Sequence, residues 1–493
     1  MVTITVLLGI QQRRLAAREQ TLLSEVLTEA GIFFQSPCGG KHTCGKCRVW
    51  ASGCLSEPTP AEQLLLGKAR LADGIRLACM CRVLGEAVIR LEPMGTEVMT
   101  WTRIPHLCCT EQGVGFACDI GTTTVALRLY DRTNGQLLAE AAEENAQRIY
   151  GADVIARIQA CREHGVSVLS GIIRQQLDVF LTMSEQHGIE KPVEGVITGN
   201  TTMLHIFAGL DPASLAAAPF RVPSHFGRQI DACVSDMPVY LPRCVGAYVG
   251  ADTVCAVLAS GMLEKEGVSL LADIGTNGEI VLYHNGELLC CSAAAGPAFE
   301  GVGLSSGMPA APGAVCKAWA GEDGLHFETI GEKEPVRGIC GSGIIDLLAA
   351  FRRLEILDES GYLAAPVQLA DSKVSVTPAD VRSLQLAKAA VCAGICTLLH
   401  EAGLTAADIC HFYVAGGFGS CLNPSSAAAI GLFPAELQTR VSFIGNAALG
   451  GAVMMLLDPS LRAKAEAAAG SAREIELSRN VFFMEKYIDC MEF

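Results

Sequence analysis

The 493 residues carry a formal net charge of -15, and 50% of them are hydrophobic against 18% charged. That composition supports large cores, speaks against wholesale disorder and fits roughly two to four domains. An acidic chain without basic runs is a poor match for nucleic acid or for an anionic membrane surface.

No run reaches the roughly 18 uninterrupted apolar residues of a membrane span. The start, MVTITVLLGIQQRR, lacks the basic first residues and cleavage site of a signal peptide, so a cytoplasmic protein is expected. The 22 cysteines would suit a disulfide scaffold only in a short secreted chain. Most of them, including Cys161, Cys255, Cys392 and Cys396, lie in apolar runs and read as small buried hydrophobes.

In chain order, residues 2–8 alternate and read as a strand. Thr21–Ile32 has apolar spacing of three and four between a capping Thr and Gly31, the pattern of a short helix. A cysteine-rich loop follows, and the strands RVW and AVIRLEP close a first unit, residues 1–94. Residues 95–113 have no clear period and read as a linker, in which Cys108 and Cys109 are candidate redox-active thiols. From Gly115 onward strands alternate with Ala-rich helices. This is an α/β pattern too long for one small sheet. Two lobes are expected, 114–265 and 266–493, with C-terminal helices free to return to the first.

The loop CGGKHTCGKC spaces Cys38, Cys44 and Cys47 as C-x5-C-x2-C, and RLAC offers a distant fourth cysteine, Cys79. Three thiolates on one loop and a remote fourth are how a ferredoxin-type 2Fe-2S cluster is held. Gly39, Gly40 and Gly45 let the loop wrap so that backbone N–H groups reach the cluster's sulfides. Zinc on Cys44 and Cys47 with His42 or Cys38 is a competing reading, although zinc sites usually pair two C-x2-C knuckles. Cys81 and Cys54 compete with Cys79 for the fourth place. The loop spacing resembles that of 2Fe-2S ferredoxins of vertebrate and bacterial type.

FACDIGTTTVALRLY begins at Phe116 and LLADIGTNGEIVLYH at Leu270. Each is an apolar strand, the tetrapeptide D-I-G-T, then an alternating strand. Two such hairpins make a phosphate clamp. Turn N–H groups and hydroxyls from Gly121, Thr122, Thr123 and Thr124, and from Gly275, Thr276, Asn277 and Gly278, suit phosphate oxygens. Asp119 and Asp273, the expected catalytic pair, suit Mg2+ or its waters. A third piece, FYVAGGFGS, runs a strand into Gly416, Gly417, Phe418 and Gly419, where a flat adenine or ribose can approach the backbone. Neither a Walker A nor a suitably placed Rossmann glycine pattern occurs. In this order the pieces resemble the superfamily of acetate and sugar kinases, Hsp70 and actin. That resemblance implies two ribonuclease-H-like lobes with ATP between them.

A β-grasp, ferredoxin-like domain fused to such an ATPase resembles the reductive activators of corrinoid proteins. Stretches such as ENAQRIYGADVIARI, TGNTTMLHIFAGLDP, AYVGADT, AAGPAFEGVGLSSGMPAAPGA, GICGSGIIDLLA and IGNAALGGA extend the likeness over nearly the whole chain. It implies ATP-dependent transfer of one electron through a 2Fe-2S cluster. The electron would pass from an upstream reductase or ferredoxin to the cobalt(II) of a corrinoid protein in a methyltransferase system. A homodimer is compatible with it. Some members carry an extra middle domain, whereas here the linker leads directly to the Asp119 hairpin. Two other readings use the same parts: an activator of another low-potential enzyme, such as a dehydratase, and a small-molecule kinase with a ferredoxin appendage.

Smaller expectations follow. Asn200, Thr201 and Thr202 line the nucleotide cleft or cap the helix after them. His205 reads as a satisfied core histidine, and Asp153 as an i,i+4 partner of Arg157. Gly338, Gly341 and Gly343 serve an adenosine pocket or a tight turn. The tail NVFFMEKYIDCMEF reads as an amphipathic stripe packed on the core.

Overall fold

The alternation at the start of the chain does what a half-buried strand requires: Ile4 and Val6 are fully buried and Thr3 is exposed. The structure is a computed structural model, and it describes the chain apart from residues 1, 9–10, 31–46, 73, 92–108, 110, 152, 302, 332–333 and 417–421. Contacts divide the chain into two units, Met1–Val98 with Thr182–Ile189, and Met99–Leu181 with Glu190–Phe493.

In the first unit, β1 (Val2–Leu8) and β2 (Gln11–Ala17) form a hairpin, followed by α1 (Leu23–Glu29) and β3 (Arg48–Leu55). Then come α2 (Pro60–Ala72), β4 (Ile75–Leu77) and β5 (Val83–Leu91). The sheet order is β2-β1-β5-β3-β4, with β1 and β5 parallel and the other pairs antiparallel. This is the β-grasp sheet, and α1 supplies Leu23, Val26 and Leu27 to its core beside Val49, Leu77 and Ile89. The helix starts later than its spacing predicts because Leu22 is taken up in a bridge to Arg82. α2 escapes the sequence reading. Gly67 sits inside it at φ 75, so the apolar period breaks where the helix kinks.

The second unit opens with β6 (Val114–Ile120), β7 (Thr124–Asp131) and β8 (Gln136–Glu144). Next are α3 (Val154–His164), α4 (Val166–Gln186), β9 (Glu194–Gly199) and α5 (Thr201–Ala208). β10 (Arg228–Val234), β11 (Met237–Leu241) and α6 (Ala251–Ser260) complete the first lobe. The second lobe starts with β12 (Val268–Ile274), β13 (Gly278–His284) and β14 (Glu287–Ala293). A small sheet of β15 (Ala314–Gly321), β16 (Gly324–Thr329) and β17 (Gly338–Ile339) leads into α7 (Gly341–Arg353). After the short pair β18 (Val367–Gln368) and β19 (Ser375–Val376) come α8 (Pro378–Glu401), β20 (Ile409–Ala415) and α9 (Pro424–Ala429). β21 (Val441–Gly445), α10 (Ala447–Leu457), α11 (Ser460–Ser471), β22 (Arg473–Glu474) and α12 (Val481–Asp489) end the chain.

The two large sheets are wired alike, in the orders β10-β11-β9-β6-β7-β8 and β21-β20-β12-β13-β14-β22. In each, an antiparallel three-strand meander is joined on one side to a parallel strand: β9 beside β6, and β20 beside β12. That is the duplicated ribonuclease-H-like topology. Both aspartates of the D-I-G-T motifs fall near the ends of the central strands, Asp119 opposite Thr198 and Asp273 opposite Ala415. Ligands of open α/β sheets gather at such strand ends. α10 packs on β6, β9 and α6 of the first lobe, while α12 packs on α8 of the second. By length and composition α8 could cross a membrane, yet 78% of its apolar window is buried inside the fold, as in a core helix.

Candidate functional site

Of the four expected cluster ligands, Cys38 and Cys44 lie outside the described residues; Cys47 and Cys79 are both buried. The Cys47 thiol donates to Cys79 Sγ at 3.2 Å, close enough for a single iron to take both sulfurs. Several links place Cys79 there. Arg48 pairs with Leu77 across β3 and β4, and the Ala78 N–H donates to the Cys47 carbonyl at 2.8 Å. The Ser24 N–H, in α1, donates to the Ala78 carbonyl at 2.9 Å. Beneath them the fully buried Glu62 accepts from Arg76 Nε and Nη2, both at 3.0 Å, and from the Leu77 N–H at 2.7 Å. A bidentate charged pair of this kind fixes geometry as well as energy, and it holds the strand that delivers Cys79. Cys81 instead lies beside Ser56 and Arg76, with burial pushing its thiol up to about 11. Cys54 is exposed. Two buried thiols brought together from separate segments are a donor set that fits a 2Fe-2S cluster.

In the second unit the two D-I-G-T turns face one another. A cavity of about 140 Å³ is lined by Thr122, Asp153, Val154, Ile155, Thr276 and Asn277. The first turn closes with the Gly121 N–H donating to the Thr124 carbonyl, and the second with the Gly275 N–H donating to the Asn277 carbonyl, each at 2.9 Å. Asn200 caps α5, accepting from the Met203 N–H at 2.9 Å, and its amide donates to Thr122 Oγ1 at 3.0 Å. Of the two readings of that residue the cap is realised, and its amide reaches a residue that lines the cavity, Thr122. Thr201 bonds the Gly246 carbonyl, and Thr202 is buried within α5. Thr276 Oγ1 donates to Glu300 Oε1 at 2.9 Å.

Four carboxylates converge behind these turns: Asp119, Asp252, Asp273 and Glu279. Each is half-buried. Burial, then the charge of Asp252, pushes Asp119 up to about 8, and a 3.3 Å bond from Asn446 Nδ2 opposes the shift. Burial and Asp252 also raise Asp273, to about 7. Asp252 and Glu279 are raised as well, in both cases first by burial. Crowded carboxylates of this kind call for a cation, and an all-oxygen donor set suits Mg2+, which keeps several of its waters.

Asp252, Glu279, Glu300 and Asn446 were not singled out from the sequence, although AYVGADT, AAGPAFEGVG and IGNAALGGA contain three of them. Two available signals went unused. Asp252 stands in the first turn of α6, and Asn446 immediately precedes α10, whose Leu449 N–H it caps at 2.8 Å.

Gly416 stands at φ +105 beside Asp273, where an added Cβ would come 2.5 Å from the Ile274 carbonyl oxygen and 3.1 Å from Asp273 Oδ1. The structure thus gives Gly416 a role in seating that aspartate; Gly417, Phe418 and Gly419 lie outside the described residues. Gly343 lets α7 pack on bare backbone, since a Cβ there would meet the Val315 carbonyl oxygen at 1.9 Å.

The expected Asp153–Arg157 pair gives way to a different arrangement. Asp153 caps α3 by accepting from the Ala156 N–H at 2.8 Å. Arg157, fully buried, turns inward and donates to the carbonyls of Thr122 and of Gly151, the latter at 3.1 Å. His205 is a core histidine, as read: fully buried, its Nδ1 lies 2.6 Å from the Thr201 carbonyl and its Nε2 accepts from the Ser224 N–H at 3.2 Å. Cys109 is half-buried, and Cys108 lies outside the described residues.

The architecture has matches over the whole chain. Residues 7–84 match the 2Fe-2S iron-sulfur cluster binding domain, residues 114–265 the RACo middle region, and residues 267–493 the C-terminal domain of RACo, the ASKHA domain. A corrinoid activation enzyme, RamQ of Eubacterium limosum, is 30% identical over 414 residues, 76% of this chain and 69% of that protein. The chain belongs to the RACo family. A reductase of Methanosarcina barkeri named for the Co(II) methylated amine-specific corrinoid protein is 25% identical over 386 residues, 70% of each chain. A solved reductive activator for corrinoid,iron-sulfur protein has a TM-score of 0.71 at 27% identity, covering 100% of this chain and 98% of that one. The RACo assignment settles the metal of the first unit as a 2Fe-2S cluster rather than zinc, and places an ATP-using ASKHA domain at residues 267–493 of the second unit. The family's middle region matches the lobe that follows the linker, residues 114–265.

Proposed function

We propose that this chain reduces the cobalt(II) of a partner corrinoid protein to cobalt(I), one electron at a time, with MgATP bound between the two D-I-G-T turns. One juxtaposition carries the reading. A single chain brings Cys47 to 3.2 Å from Cys79 and also sets Thr122 across one cavity from Thr276 and Asn277. A 2Fe-2S cluster on Cys38, Cys44, Cys47 and Cys79 would supply the one-electron carrier. An upstream one-electron donor of low potential reloads it, and the natural corrinoid partner is one from a methyltransferase system.

The reduction is uphill from an ordinary ferredoxin. For one electron, each step of about 59 mV is a tenfold loss in equilibrium constant, roughly 1.4 kcal/mol. ATP offsets that only where the nucleotide states differ in affinity for the states of the corrinoid protein. The chain has a means to do so. The turns of Gly121–Thr124 and Gly275–Gly278 rise from separate sheets, so a phosphate chain touching both links nucleotide binding to the spacing of the lobes. Asp119 and Asp273 hold the Mg2+ or its waters, Asp252 and Glu279 deepen the negative field around it, and Asn446 orients Asp119.

The test is cobalt(II) reduction followed by visible absorbance, with titanium(III) as donor and a purified corrinoid protein as acceptor. The expected result is reduction with MgATP and little with MgADP, without nucleotide or with Asp119→Asn. Equal reduction without nucleotide overturns the reading. Phosphorylation of a sugar or of acetate at the rate of ATP turnover would favour the kinase alternative.

A further inference from the structure

Three thiols outside both sites come together at the C-terminal end of the chain. Cys392 and Cys396 lie one turn apart on α8, and Cys490 caps the C-terminus of α12. Their three Sγ atoms all lie within 4.8 Å of one another, Cys392 buried and the other two half-buried. The sequence reading of Cys392 and Cys396 as plain hydrophobic filler does not account for this convergence. We propose that Cys392, Cys396 and Cys490 form a binding site for a thiophilic cation of the Zn2+ class, which fastens α12 to α8.

Size fits. A zinc ion sits about 2.3 Å from each thiolate, so three sulfurs around it are on the order of 3.8 Å apart in a tetrahedral arrangement. Sulfurs already within 4.8 Å need only small χ1 adjustments to close on one ion. The remaining tetrahedral position is left to water or to a small ligand.

The backbone around Cys490 is held ready. Lys388 Nζ donates to the Cys490 carbonyl at 2.8 Å and also to the Glu492 carbonyl. Gln385 Nε2 donates to the Met491 carbonyl at 2.8 Å, and the Phe493 N–H to the Glu359 carbonyl at 2.8 Å. The last residues are thereby pinned on α8 without any use of the thiols.

Charge is the independent argument. Lys388 is fully buried, and its hydrogen bonds go to neutral carbonyl oxygens; among the described residues no ion pair includes it. A buried ammonium needs compensating negative charge nearby. Cys392 and Cys490 act on it once ionised, as binding a cation makes them, and the Glu492 carboxylate lies nearby; Lys486 flanks Cys396 and Cys490 from α12. Three thiolates and one divalent cation carry a net charge of about -1, which the buried Lys388 balances, while Lys486 pairs with Asp489 at 3.4 Å. Binding forms three metal–sulfur bonds and releases the thiol protons, so no oxidant or reductant takes part.

α8 also links this cluster to the nucleotide site. Its Val391 comes within 3.2 Å of where a Cβ on Gly278 would stand, at the second D-I-G-T turn, one residue away from Cys392. Fixing α12 therefore stiffens a helix that supports the phosphate turn.

The experiment uses the full chain with its iron–sulfur cluster, kept anaerobic, treated with a chelator, then equilibrated with zinc and desalted. Zinc and iron are counted per chain by mass spectrometry. About one zinc per chain is expected in the wild type, with none in Cys490→Ser and iron unchanged between them. Cys396→Ser, at a half-buried position, covers the case in which Cys490→Ser fails to fold; it is expected to weaken zinc binding at least tenfold in competition with a chelator. Equal zinc retention in wild type and variants overturns the proposal. So does zinc uptake that displaces iron, or a disulfide among these cysteines in protein never exposed to air.

Discussion

The two D-I-G-T turns begin from the same four residues and end in opposite surroundings. The first is braced from behind. Arg157 and Asn200 bond Thr122, and Asn145 bonds the carbonyls of Gly121 at 2.8 Å and of Thr123 at 2.9 Å. Its backing is a buried guanidinium. The second turn faces carboxylates: Thr276 donates to Glu300, and the neighbouring Glu279 adds to the field of Asp273 and Asp252. A turn backed by positive charge and fixed donors is a preformed cradle for an anion. One set among carboxylates accepts phosphate only together with a cation. The duplication of the fold therefore does not duplicate the work. In the proposed reading the Gly121–Thr124 turn positions phosphate and the Gly275–Gly278 turn binds it only together with Mg2+, while Asp119 and Asp252 of the first lobe and Asp273 and Glu279 of the second share the cation.

The strongest test removes one aspartate from each lobe. Asp119→Asn and Asp273→Asn are each expected to lower ATP turnover at least about 100-fold, since the metal loses a charged ligand. The nucleotide-free proteins should melt above the wild type at neutral pH, because an amide does not bear the cost of burying a carboxyl that is ionised in the unfolded chain. Calorimetry with and without MgATP reads both. Lower stability together with lost turnover would place these residues in the structural frame instead of around a cation.

Arg157→Met separates the two turns. It leaves the Thr122 and Gly151 carbonyls without their donor, at a cost of about 3 kcal/mol in stability. ATP affinity should fall at least tenfold, with Mg2+ dependence unchanged. If Mg2+ dependence shifts as well, the division of labour between the turns fails.

How much of this was legible follows from distance along the chain. The aspartates and their turns are local patterns, so Asp119 and Asp273 could be named from short stretches. Cys79 could be preferred over Cys81 because GIRLAC fits the ferredoxin pattern, but the buried Glu62–Arg76 pair that holds its strand is not visible in a spacing rule. Asp252, Glu279, Glu300 and Asn446 meet only when two sheets and α10 assemble, so none stood out alone. Arg157 was misread because the i,i+4 rule counts neighbours on a helix surface, whereas this side chain points inward. Cys392 and Cys396 look like filler until the end of the chain returns with Cys490.

A gentler probe is pH. The folded chain holds Asp119 up at about 8 and Asp273 at about 7, well above an unfolded carboxylate near 4. Between those values the native state binds protons that the unfolded state has released, so nucleotide-free stability falls as pH rises from about 4 to 8. Mg2+ must displace the same protons. Its affinity should climb with pH by up to about tenfold per unit for each proton released, then level off above about pH 8. In Asp119→Asn the rise should be shallower and end near pH 7. A Mg2+ affinity flat from pH 6 to 8 would mean that these carboxylates are already ionised without it.

The smallest expected effect belongs to Glu300, and it bears most directly on the contrast between the turns. In the nucleotide-free chain Glu300 occupies the Thr276 hydroxyl at 2.9 Å. An incoming phosphate oxygen needs that hydroxyl as a donor and meets the carboxylate's charge. Glu300→Gln keeps an acceptor within reach of Thr276 and removes the charge. ATP should then bind a few-fold more tightly at low Mg2+, with little change at saturating Mg2+, because a screened charge contributes little there. Isothermal titration at two Mg2+ concentrations separates the cases. If affinity instead drops at both, Glu300 helps to hold the metal, and the second turn owes its cation dependence to this residue as much as to Asp273.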